Sequence, residues 1–137
     1  MGRVALIQMV SSAKVAENLA YVEQLMIMAK QKEASLAVLP ENFAFMGLND
    51  TDKFQIAESY GQGAIQEKIS QLAKNLGLWV VAGTIPLKGT GSKVRASSIV
   101  YDDKGLKVAR YDKIHLFDVR VSEQEAHQES SSIERGN

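Results

Sequence analysis

The sequence contains no cysteine. That absence removes disulfides, thiolate metal sites and a thiol nucleophile from the chemistry these 137 residues can supply. It leaves the redox compartment undetermined. Proline is scarce, with 2 residues, and hydrophobic residues make up 45%, which reads as a globular chain and not a disordered one. Neither sign of charge is in excess, since 16 Lys and Arg stand against 16 Asp and Glu, and no long run of one sign occurs. This balance argues against a nucleic acid or an anionic membrane as a partner. Long apolar runs are missing too. The run at 4–10 is too short to span a bilayer, and it lacks the charged start and small-residue cleavage site of a secretory signal. Gly2 invites myristoylation, but Leu6 stands where that motif needs Ser or Thr. A cytosolic protein is the default expectation.

What is present reads as one α/β unit. Residues 3–10 are apolar on both faces and rich in branched side chains, as a strand covered on both sides would be. Ser11 and Ser12 offer themselves as helix caps. Val15, Leu19, Val22, Met26 and Ala29 then recur at spacings of about four and three, one face of a helix. Residues 35–39 predict a second buried strand, stopped by Pro40, which has no N–H for the ladder. A loop with a short helix over 52–59 leads to a helix over 64–75, with Ile65, Ile69, Leu72 and Leu76 as its apolar stripe and Gly77 as its stop. Strands follow at 78–85, 94–101 and 106–110, the last two joined by a hairpin turn at 102–105. Alternation of the first three strands with helices predicts parallel crossovers. Beyond Asp118 the chain turns polar and serine-rich, with no core pattern, and reads as a connection.

Two segments carry chemistry. Glu41, in Leu39-Pro40-Glu41-Asn42-Phe43, places a carboxylate just past the end of a strand, where open α/β folds hold their ligands. Partial burial there would raise its pKa toward a value useful to a general base. The plain alternative is an ordinary loop glutamate. Lys113 lies in Arg110-Tyr111-Asp112-Lys113-Ile114-His115-Leu116-Phe117-Asp118. A fixed ammonium there could stabilise negative charge developing on an attacked carbonyl, against the plain reading of a surface lysine. His115 reads as a packed side chain, and no ligand spacing relates it to His127. Gly61-Gln62-Gly63 precedes a helix but lacks the third glycine of a dinucleotide turn.

From residue 4 to residue 137 the chain resembles the N-terminal half of an amidase of the nitrilase, or carbon–nitrogen hydrolase, superfamily. The resemblance rests on the Leu39–Phe43 segment, on residues 73–86, on the hairpin at 95–105 and on the box at 110–118. That box is similar to the branch holding deaminated-glutathione amidase and omega-amidase. The resemblance implies half of a four-layer α-β-β-α sandwich, 1–137 being a partial domain that ends before the family's nucleophilic cysteine. It implies Glu41 as the general base, Lys113 as the oxyanion partner and Glu129 as a second glutamate that positions substrate or lysine. It implies a small amide as substrate, no metal and no organic cofactor. It also implies association with a complementary half, or homo-oligomers when complete. Ser130, Ser131 and Ser132 are poor substitutes for the cysteine, because an alkoxide is far harder to form than a thiolate. The alternative from another class is a non-catalytic binding protein that uses the half-fold as an interaction surface.

Overall fold

The computed structural model describes residues 2–137. Five strands form one sheet in the order β1-β2-β3-β4-β5: Arg3–Leu6, Ala34–Val38, Trp79–Lys88, Val94–Tyr101 and Lys107–Asp112. The first three run parallel, and β3-β4-β5 is an antiparallel meander. Helix α1 (Val15–Gln31) crosses from β1 to β2, and α3 (Ala64–Leu76) leads into β3, with a short α2 (Lys53–Ile56) between. The expected helix stripes are buried at Leu19, Val22, Met26 and Ala29 on α1 and at Ile65, Ile69 and Leu72 on α3, with Val15 and Leu76 at their ends half-buried against the core. Glu23 and Lys68 tie the two helices with a 2.6 Å ion pair. Gly77 ends α3 in the left-handed conformation, φ 57°, while Leu78 N donates to Ala73 O. That is the stop its glycine promised.

Both long helices pack on one face of the sheet, and this corrects the reading of β1. The strand is shorter than 3–10 and is covered on one side only, with Leu6 80% exposed. Partners in register share a face, so the uncovered side carries a continuous apolar row. It runs Leu6–Val38–Val81–Val100 across four strands, and Val4–Leu36–Trp79 runs alongside. Branched residues suggest two covers because the pattern reports what a strand can bury, not what lies against it. Ser11 and Ser12 do not cap α1 either, since Lys14 holds that position. Instead the Asn18 side chain accepts from Ser12 N and donates to the carbonyls of Ser12 and Ala44.

The polar tail is the second correction. After Asp112 the chain forms a small hairpin, β6 (Asp118–Arg120) with β7 (Ala126–Gln128), then a single 3-10 turn (Glu129–Ser131). It returns to bury Ser132 and Ile133 beside Val94, pairing parallel to β4. One isoleucine carries no periodicity, so its anchoring role left no pattern to read. Among the described residues, no helix is long and apolar enough to cross a membrane.

Candidate active site

Strand β2 gives way to Leu39, whose N–H donates to Val81 O, and the chain then turns at residues 41–44 while staying against β3 at Gly83 and Thr84. Glu41 sits on the tip of that turn. Next to it Asn42 takes φ 56°, a left-handed conformation that asparagine tolerates better than most residues with a Cβ, and donates its N–H to Thr84 Oγ1 at 3.0 Å. Phe43 and Ala44 are fully buried, and their carbonyls accept from Ser11 Oγ and Asn18 Nδ2. The turn is thus gripped on both sides of the carboxylate. Glu41 itself is half exposed, so the partial burial expected of it is slight in this structure.

Lys113 follows β5 directly, and its N–H donates to Ala96 O. Its ammonium lies 3.0 Å from Glu41 Oε1 and 3.0 Å from Glu129 Oε1. The three residues singled out from far apart in sequence therefore meet at one nitrogen. Glu129 is the more enclosed carboxylate, with 14% of its side chain exposed, and its Oε2 accepts from Phe117 N at 2.6 Å. Burial works against the charged ammonium, but the hydrogen bonds and charges of Glu41 and Glu129 outweigh it and hold Lys113 above the ordinary lysine value. An ammonium has three N–H donors, and two are used here. The third is available to an oxyanion, and Glu41 Oε2 accepts no bond among the described residues.

The other nominated residues do not join this cluster. His115 is exposed, and His127 lies against the Phe117 ring with centroids 5.9 Å apart. The hydroxyls of Ser131 and Ser132 donate to main-chain carbonyls and face no base. Among the described residues, no group of three or more metal-ligating side chains is assembled. The helix after Gly63 has its N-terminus filled from within, because Glu58 accepts from Ile65 N and Gln66 N. A carboxylate occupies the place a phosphate would take.

Sequence reasoning missed a charged network beside Lys113. Asp112 accepts two bonds from Arg110, one from Ser97 Oγ at 2.6 Å and one from Arg95 at 3.1 Å. The second arm of Arg95 reaches Glu134 at 3.0 Å, and Glu134 also accepts from Thr90 N and Oγ1. Only the position of Asp112 beside Lys113 hinted at this. Hydrogen bonds from Arg95, then from Thr90, pull the Glu134 carboxyl from 4.5 down to about 2. Burial opposes ionisation of Asp112, yet its bonds from Arg110, Ser97 and Arg95 leave it below the ordinary value. Both folded-state values lie below the unfolded ones, so this stabilisation is present above pH 4.5 and is lost as pH falls toward 2. Thermal midpoints should drop across that window and drop less in Glu134→Gln. An unchanged acid limb in that variant would remove Glu134 from the account.

The sequence model described as carbon-nitrogen hydrolase matches residues 3–137. The chain belongs to the carbon-nitrogen hydrolase family. It is 34% identical over 134 residues to the deaminated glutathione amidase of Synechocystis, covering 96% of this chain and 48% of that protein. It is 32% identical to the omega-amidase of Xenopus tropicalis, covering 98% of this chain and 48% of that one. Among solved structures, an amidase from Nesterenkonia sp. AN1, modified by acrylamide at its active site cysteine, superposes with a TM-score of 0.82. That match covers 100% of this chain and 50% of the amidase at 19% identity, which speaks for the fold alone. The sheet with its helices on one face is thus the nitrilase-type fold, and the chain spans about half the length of the curated relatives it matches.

Proposed function

We propose that this chain supplies the base and the oxyanion partner of an amidase that converts small linear amides to acid and ammonia. The observation that carries the reading is the Lys113 ammonium held 3.0 Å from both Glu41 and Glu129. In this reading a cysteine thiol, supplied from outside these residues, gives its proton to Glu41 and attacks the amide carbon. The carbonyl oxygen becomes an oxyanion that takes the free N–H of Lys113. The amide C–N bond breaks as Glu41 returns the proton to the leaving nitrogen, releasing ammonia. Water, deprotonated at Glu41, then cleaves the thioester to acid and regenerates the thiol. Glu129 keeps the lysine charged and aimed. The partial domain, 1–137, needs no metal or organic cofactor for this chemistry.

The test mixes this chain with a separately expressed C-terminal half of an omega-amidase that carries the nucleophilic cysteine. Association should produce ammonia from short ω-amides, and Glu41→Gln or Lys113→Met in the mixture should lower the rate by at least about 100-fold. A second reading is favoured by the apolar row across the open sheet face. Here the half-fold is a binding protein whose partner presents a matching sheet. A tight complex that releases no ammonia would select that reading over the first. Failure to associate at all would count against both.

A further inference from the structure

We propose that Arg95 and Glu134 are positioning residues, pinning the chain after Glu129 to β4 so that Glu129 stays against Lys113. This rests on the proposed role of the Glu41–Lys113–Glu129 cluster and says what keeps that cluster assembled.

Glu129 arrives at the site from a poor anchor. Residues 121–128 are all exposed, so the hairpin before it buries almost nothing and cannot fix a carboxylate by packing. The Glu129 N–H donates to Phe117 O and its Oε2 accepts from Phe117 N, but Phe117 is itself exposed, and the anchorage to β4 comes afterwards. Val94 N donates to Ser132 O, Glu134 N donates to Val94 O at 2.7 Å, and Gly136 N donates to Lys113 O at 2.9 Å. These bonds lay the returning segment along the edge of β4 that β5 vacates after Asp112. Arg95 sits in the middle of that contact. One arm of its guanidinium holds Asp112, the residue before Lys113, and the other holds Glu134, five residues after Glu129. A single planar group therefore ties both sides of the Lys113–Glu129 pair to one point.

The chemistry of the bridge is specific. Arg95 is only 20% exposed, and its Nε is buried with no partner among the described residues, a cost that a purely apolar contact would avoid. Lysine has the charge but not the fork, and it cannot span two carboxylates with fixed geometry. Asp112 and Glu134 both accept from several local donors, which commits them to the bridge. The same segment approaches closely at Gly136, where a Cβ would lie 2.3 Å from Asp112 O. Its seat beside the end of β5 is tight and leaves little room for a side chain there.

The experiment reads Lys113 directly, by NMR titration of its side-chain amine in the chain alone. It uses no second half and no amide, so failure of the hydrolysis assay would leave it standing. Glu129→Gln sets the reference, a drop of the Lys113 pKa toward that of a solvated lysine. Glu134→Gln should reproduce most of that drop, and adding it to Glu129→Gln should lower the pKa no further. Arg95→Lys should give the same drop while the overall spectrum stays dispersed. A simple loss of charge near Lys113 would instead be additive with Glu129→Gln and absent in Arg95→Lys. A merely structural role would lower the thermal midpoint and leave the Lys113 titration of the folded chain unchanged. Either of those results overturns the proposal. Should Glu134→Gln fail to fold, Arg95→Lys with and without Glu129→Gln decides the question by the same comparison.

Discussion

Gly83→Ala is expected to destabilise the chain by about 3 kcal/mol or more, the upper end of what overpacking costs. A methyl at residue 83 would lie 1.8 Å from Pro40 O, 2.3 Å from Pro40 C and 2.5 Å from Leu39 O. All three are backbone atoms, so no rotamer change relieves the clash. The backbone of Gly83 needs no special dihedral, and it is space that demands glycine. Relief requires β3 to separate from the end of β2, where Leu39 N bonds Val81 O and Asn42 N bonds Thr84 Oγ1. Those bonds set the position of Glu41, so the separation would also take its carboxylate away from Lys113. Urea unfolding reads the stability loss against a typical domain total of about 5–15 kcal/mol. An unchanged midpoint would mean the strands part easily, and the account of how Glu41 is placed would fail.

Phe43→Ala is expected to cost about 3–5 kcal/mol, as for other fully buried aromatics. Phe43 is 0% exposed and belongs to the main core with Val22, Met26 and Ile85. It lies two residues beyond Glu41 and anchors the turn that carries it. The matched control is Leu6→Ala on the open sheet face. Leu6 is 80% exposed, and its truncation should change stability by about 0.5 kcal/mol or less. Chemical denaturation of the two variants separates the covered face from the open one. A large loss at Leu6, or a small one at Phe43, would mean that the two faces have been assigned the wrong way round.

The helices were legible because their stripes repeat. Leu19, Val22, Met26 and Ala29 point one way whatever lies opposite, and the structure supplies α3 and the sheet. Strands 94–101 and 106–110 were legible from the Asp102–Gly105 turn between them, though β5 runs on to Asp112 and so delivers Lys113 directly. The seat of Ile133 was not legible, because a single apolar residue in a polar tail has no period. Nor was the bridge at Arg95, since an arginine inside a strand looks like any outward-facing charge until both its acceptors are placed.

Taken alone, the sequence determined local propensity and the chemical inventory: helices where apolar residues recur every turn, strands where branched residues cluster, and no thiol anywhere. It also marked Glu41 and Lys113 as residues whose type and setting suit amide chemistry. Half of an α-β-β-α sandwich already implied one helical layer against one sheet, and the tertiary structure decided which residues the open face carries, the row from Leu6 to Val100. It alone brought Glu41, Lys113 and Glu129 to one ammonium across separations of 72 and 16 residues. The reason is physical. Periodicity records what each element offers to its neighbours within a few turns of chain, whereas charge pairing across the fold depends on strand order and on close approaches such as Gly83 against Pro40.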